Sequence, residues 1–91
     1  MSYKLLYHPS VYKEDLPKIS SDQKERIKHV IETRLLENPL LVGKPLRQSL
    51  KGHMKLRVGD WRIIYRIEKN DIVVLKIGHR KEVYRRATGR L

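Results

Sequence analysis

Two short stretches of this chain bring together the side chains that can hold a phosphate and move protons. The first is His53-Met54-Lys55-Leu56-Arg57, followed closely by Arg62; the second is His79-Arg80-Lys81-Glu82-Val83-Tyr84-Arg85. Guanidinium groups bind phosphate bidentately and stay charged at any working pH. Imidazole, with a pKa near ~6.5, is a ready proton carrier. A set of Lys, Arg, His and Tyr with few carboxylates is what metal-free RNA cleavage requires. The 2′-hydroxyl must lose a proton, the crowded phosphate must be stabilised, and the 5′-oxygen must gain a proton. Few acidic residues stand near enough in sequence to hold Mg²⁺, so no metal and no cofactor is expected.

The charge distribution points the same way. Residues 1–43 hold seven Lys/Arg and six Asp/Glu, a net of +1, whereas residues 44–91 hold fourteen and four, a net of +10; together they make the +11 of the whole chain. Charge this lopsided repels itself in the folded state, and a polyphosphate backbone is the usual partner that relieves it. The simpler reading is a solvated basic face. Individual residues have plain alternatives too: Lys55 and Arg57 as an exposed strand face, Arg62 and Arg66 as partners of Glu68 or Asp60, and Tyr84 as a packed edge aromatic. Trp61 is read as packing rather than as a base-stacking platform, and His8 and His29, in the near-neutral half, as structural.

The elements that must position these residues are legible from periodicity. Tyr3 to His8 alternates and reads as a strand closed by Pro9. Ser10 begins a short helix through Leu16, ended by Pro17. Ser20 opens the clearest helix, with Gln23 completing a capping box and Asp22 and Glu25 suiting its positive end. Ile27, Val30, Ile31 and Leu35 form its apolar stripe, and Asn38-Pro39 stops it. Residues 39–51 read as a connection. From His53 the period becomes two, with Met54, Leu56 and Val58 on one face and His53, Lys55 and Arg57 on the other. Gly59-Asp60 reads as a tight turn. Trp61, Ile63, Tyr65 and Ile67 then alternate with Arg62, Ile64, Arg66 and Glu68. Asn70-Asp71 makes a second turn, and Ile72–Ile77 is a strand covered on both faces. The expectation is an α+β fold of one domain over residues 1–91: an N-terminal strand, two helices, then a three-stranded antiparallel meander in a curved sheet, helices on one face. No cysteine is present, which removes disulfide and thiolate chemistry and fits a reducing, cytoplasmic setting. No leader is evident, and no run approaches the ~20 apolar residues of a membrane span, so no membrane partner is expected.

Leu46-Arg47, Met54-Lys55-Leu56-Arg57-Val58-Gly59-Asp60-Trp61-Arg62-Ile63-Ile64-Tyr65 and Gly78-His79-Arg80-Lys81-Glu82-Val83-Tyr84 together resemble the RelE/ParE toxin superfamily, on its RelE side. The resemblance spans essentially the whole chain. It implies a microbial-RNase-like fold and the toxin of a type II toxin–antitoxin pair. The implied activity is an endoribonuclease that cuts mRNA, often on the ribosome, and that a small antitoxin neutralises. By position, Lys55 matches a catalytic lysine, Arg62 a phosphate-binding arginine, Arg80 a transition-state arginine and Tyr84 a tyrosine that stacks on or orients the substrate. Arg47 matches an RNA-contacting basic residue, and Lys51, Arg57, Lys81 and Arg85 join it as candidate RNA contacts. At His53 and His79 the familiar RelE-type pattern has lysines, so Lys55, His53 and His79 all compete as general base. The same fold also carries gyrase poisons, so a non-catalytic ParE-like inhibitor and a plain basic RNA- or ribosome-binding module stand as the alternatives.

Overall fold

A computed structural model describes residues 3–91, the Arg86 side chain excepted. The chain runs β1 (Lys4–Tyr7), two helical turns (Val11–Asp15 and Leu16–Lys18), then α1 (Ser21–Val30), which continues more widely wound through Ile31–Leu35. Next come the short α2 (Pro39–Val42), β2 (Lys44–Pro45), a turn at Gln48–Leu50, β3 (Met54–Val58), β4 (Trp61–Glu68), β5 (Asp71–His79) and α3 (Val83–Ala87). The expected α+β architecture is present, and the meander β3–β4–β5 is its centre. No helix among the described residues is long and apolar enough to cross a membrane.

The sheet has five strands rather than four, in the order β1-β5-β4-β3-β2. β1 lies parallel to β5, with Lys4 beside Asp71 and Tyr7 beside Val74, while the other pairings are antiparallel. The extra strand comes from the segment expected to be a connection: Lys44 pairs with Lys55 and Pro45 with Met54. A two-residue edge strand carries no periodicity, and Pro45 sits where an edge tolerates it. The second hairpin turns at Lys69-Asn70, one residue earlier than expected. Lys69 takes the positive φ, 54°, and Asp71 already pairs with Glu68.

The stripe on α1 is core. Ile27, Ile31 and Leu35 are buried against Leu56, Val58, Ile63, Tyr65, Ile72, Val74 and Ile77. Ser20 does start the helix, its carbonyl accepting from the Lys24 N–H at 2.9 Å, but its hydroxyl makes no capping bond, so the capping box with Gln23 does not form. Ser20 is exposed, and water can satisfy the first-turn N–H groups instead. Proline did not end the first helical segment either: Pro17 sits inside the turn Leu16–Lys18, near a helical start where its missing N–H costs nothing.

Helices cover both faces of the sheet, not one. On the face away from α1, Val83 and Ala87 of α3 pack with Leu50, Ile64, Leu75 and the half-buried Leu46. A register slip makes this possible. Ile64 pairs with Lys76 but Tyr65 with Val74, leaving Leu75 as the extra residue of a bulge. Val74 and Ile77 therefore face α1 while Leu75 joins the opposite cluster. Gly78 lets α3 approach closely: a Cβ there would lie 3.3 Å from Val83.

One ionic latch ties the chain's distant parts together. Asp15, 5 % exposed, accepts from both terminal nitrogens of Arg90 (2.6 and 2.8 Å), from the Ile77 N–H (2.9 Å) and from Lys76 Nζ (3.3 Å). Arg90 also donates to the Leu75 carbonyl at 3.1 Å. Burial alone would raise the Asp15 carboxyl, but the Arg90 and Ile77 hydrogen bonds and the nearby Lys76 charge hold it below its ordinary value.

Candidate functional site

The sheet face that α3 only partly covers carries a basic groove of about 230 Å³, lined by Val42, Lys44, Lys55, Arg57 and Arg62. Strand pairing builds it. Lys44 stands beside Lys55 across β2–β3, and Arg57 beside Arg62 across β3–β4. Like charges directly opposite each other destabilise a sheet, so a structure that pairs them twice gains when an anion lies between. Tyr84, on α3 and 36 % exposed, closes the arrangement, with Lys55 Nζ 5.8 Å from its ring centre, within cation–π range.

Arg62 is held before any ligand arrives. Its Nη1 donates to the carbonyls of Gly59 and Trp61, each at 2.9 Å, so one guanidinium edge is fixed to the β3–β4 turn and the rest stays available. Gly59 at φ 60° gives that turn its shape. Arg80 is fixed at its backbone instead: its N–H donates to the Asp60 carbonyl at 2.8 Å, which hangs the end of β5 beside the same turn and leaves the side chain exposed.

The ion pairs among the described residues involve Arg66 with Glu68, Lys76 with Asp15, and Arg90 with Glu14 and Asp15. Lys44, Lys55, Arg57, Arg62 and Arg80 take part in none of them. The plain reading of Arg66 as a partner of Glu68 is thus what the molecule uses, at 2.9 Å, whereas Arg62 bonds carbonyls rather than Asp60. Among the described residues no three His, Cys, Asp or Glu side chains converge on a point that would hold a metal ion.

The other sequence candidates fall elsewhere. His53 is 8 % exposed, and neither ring nitrogen has a hydrogen-bond partner among the described residues. Burial, with the Arg66 charge adding, pushes its pKa down, so the ring is neutral at physiological pH. His79 accepts from the Lys81 N–H at its Nδ1 (3.3 Å) and packs edge-on against Trp61, ring centres 5.9 Å apart. With Arg85 it lines a separate cavity of about 350 Å³ between Asp15, Lys76 and Glu82. Arg47 and Lys51 are exposed beside the Gln48–Leu50 turn, and Lys81 is exposed before α3. His8 accepts from the Ser10 N–H at 3.1 Å, a turn role, and Trp61 packs against the α1-side core. Sequence reading did not pick out Lys44. It sits in a stretch without periodicity, and only its pairing with Lys55 brings it to the groove.

The sequence profile described as "ParE toxin of type II toxin-antitoxin system, parDE" matches residues 5–84. Toxin RelG of Mycobacterium tuberculosis is 46 % identical over 54 residues, which span 57 % of this chain and 62 % of that protein. Toxin RelE of the same organism is 40 % identical over 53 residues, 56 % of this chain and 55 % of that protein. The chain thus aligns with rather less than two thirds of the length of either relative. Over the fold, the crystal structure of the toxin–antitoxin complex RelBE2 from M. tuberculosis contains a chain that superimposes with a TM-score of 0.80 at 30 % identity, covering 87 % of this chain and 99 % of that one.

Proposed function

Because this chain belongs to the RelE/ParE superfamily of type II toxin–antitoxin toxins, its residues 5–84 matching the ParE toxin profile, we propose that it acts by cutting mRNA without a metal ion. The observation that carries this reading is the groove of Lys44, Lys55, Arg57 and Arg62, none of them in an ion pair among the described residues, with Tyr84 beside Lys55. Lys55 is the general base: in its neutral form it takes the proton of the 2′-hydroxyl, and the ammonium so formed faces the phosphate. The freed 2′-oxygen attacks the adjacent phosphorus, closing the 2′,3′-cyclic phosphate, and the bond to the 5′-oxygen breaks as that oxygen takes a proton from water. Arg62, held by the turn carbonyls, and Arg80 stabilise the charge that grows on the phosphate. Tyr84 stacks on a base beside the cut. The burial of His53 and the engagement of His79 Nδ1 in the turn are what favour Lys55 over both histidines as the base. Arg57, which lines the groove, and the exposed Arg47, Lys51, Lys81 and Arg85 are assigned to RNA backbone contacts.

That the RelBE2 neighbour is a toxin–antitoxin complex supports a cognate antitoxin for this chain as well, one whose acidic surface would cover the groove. The ribosome is the setting in which mRNA is presented single-stranded. A second reading, inhibition of gyrase without cleavage, draws on the ParE name of the matching profile. The test is to add purified protein to translating ribosomes in EDTA and map RNA ends. Fragments with 2′,3′-cyclic phosphate and 5′-hydroxyl ends are expected. Intact RNA together with inhibited gyrase supercoiling would replace the first reading by the second, and a strict Mg²⁺ requirement would refute the mechanism.

A further inference from the structure

Three arginines from three separate elements meet at the two-residue turn Gly59-Asp60. Arg62 of β4 donates to the Gly59 carbonyl, and Arg80, at the end of β5, donates its N–H to the Asp60 carbonyl. The third, Arg26, comes from α1 in the near-neutral half of the chain. Its guanidinium lies against Gly59, so that a Cβ there would sit 3.2 Å from Nη1 and 3.6 Å from the guanidinium carbon. Arg26 stands four residues after Asp22, the spacing at which helical ion pairs form, yet it makes no ion pair with Asp22, nor any with Asp60. It lies over the turn instead, exposed, next to a backbone already gripped by Arg62.

Two guanidinium groups flank one turn, neither in an ion pair among the described residues, and such groups are chemically suited to grip an anion. Arg62 lines the groove with Lys44, Lys55 and Arg57 and also bonds this turn, so it belongs to both. From these contacts we infer that Arg26 and Arg62 hold a second phosphate of the same nucleic acid strand, outside the bond that is cut, so that the strand leaves the groove over the β3–β4 turn towards α1. The inference rests on the reading of the groove as an RNA site. It makes Arg26 a binding residue that fixes where along the strand the cut falls, without contact with the reacting atoms.

The test compares wild type, Arg26→Ala, Arg26→Lys and Arg57→Ala on a fully 2′-O-methylated oligoribonucleotide of about a dozen nucleotides, which binds but cannot be cut. Affinity is measured across a salt series, with circular dichroism confirming the fold. Each lost phosphate contact lowers the log–log salt slope by roughly 0.7 for a single strand. Arg26→Ala should lose about that much slope and bind several-fold more weakly, and Arg26→Lys should retain the slope. In single-turnover cleavage of the unmodified RNA, Arg26→Ala should raise the half-saturating concentration more than it lowers the saturated rate. If Arg57→Ala shifts the slope and Arg26→Ala does not, the second subsite is wrong and the groove stands. If wild type binds with no salt dependence at all, the RNA reading of the groove falls and this inference falls with it.

Discussion

At the scale of single residues, the candidate site separates groups that wait for a ligand from groups already occupied. Arg80 is the first kind, its backbone tethered and its side chain exposed and in no ion pair among the described residues. Removing one preorganised donor at a developing charge costs about 3–4 kcal/mol, on the order of 10²–10³ in rate. Arg80→Ala should lower single-turnover cleavage on ribosomes by that factor with the circular dichroism spectrum unchanged, and Arg80→Lys should recover only part of it because an ammonium cannot bind bidentately. A folded Arg80→Ala protein that cleaves within about threefold of wild type would return Arg80 to the solvated surface. His53 is the second kind, and its prediction concerns stability. Unfolded, the ring titrates near ~6.5; folded, burial holds its pKa lower. The unfolded state therefore binds the proton more readily. The contribution is complete above about 6.5 and is lost as pH falls from there through the depressed folded value. Thermal midpoints measured at falling pH should drop over that window in wild type and drop less in His53→Phe; equal slopes would mean the buried ring is not the titrating group. The arginine and tyrosine members of the site were legible as residue types at fixed spacing. Which histidines were buried was not, because alternation assigns a face and says nothing of what later packs over it.

At the scale of elements, the meander and the α1 stripe were readable because their periods of two and 3.6 extend over many residues. Three features were not. β2 is two residues long. The bulge at Leu75 looks, in sequence, like any other position of a continuous apolar run. The second core depends on Val83 and Ala87, two apolar residues in a strongly basic stretch, which only the bulge and Gly78 allow to dock. The element that carries Tyr84 is therefore held by few apolar contacts and by the Asp15–Arg90 latch just beyond it. Breaking a buried ion pair by removing one partner costs about 3–5 kcal/mol. Arg90→Ala should lose stability of that order in urea denaturation, and Arg90→Lys should lose less. The folded Asp15 carboxyl titrates below its ordinary 3.8. The latch is thus at full strength above that pH and weakens as pH falls below it. An acid unfolding midpoint that Asp15→Asn leaves where it is would show that the latch does not govern acid stability. Tyr65 makes a comparable but smaller tie: its hydroxyl, pushed up to about 12 by burial, donates to the Pro39 carbonyl at 2.6 Å and anchors α2 under the groove. A side chain on Gly43 would collide with that hydroxyl.

At the scale of the whole molecule, the +10 of residues 44–91 divides: Lys76 and Arg90 are spent on the Asp15 latch and Arg66 on Glu68, while Lys44, Lys55, Arg57 and Arg62 line the groove. If about five phosphates are neutralised, binding to RNA or ribosomes should fall with salt at a log–log slope of roughly −3.5; a slope near zero would remove the electrostatic basis of any nucleic-acid role. The topology has a temporal consequence as well. The hairpins of β3, β4 and β5 close through two-residue turns, whereas Asp15 and Arg90 meet from 75 positions apart. Loop closure is slower the longer the loop. The folding nucleus should be the meander, so Ile63→Val should slow refolding, while Asp15→Asn should mainly quicken unfolding in stopped-flow chevrons. A chain in the act of folding would then possess the strands of its basic groove before the helix bearing Tyr84 is secured. On the proposed reading of the groove, competence to cut would be the last property acquired, arriving only when Asp15 and Arg90 have found each other.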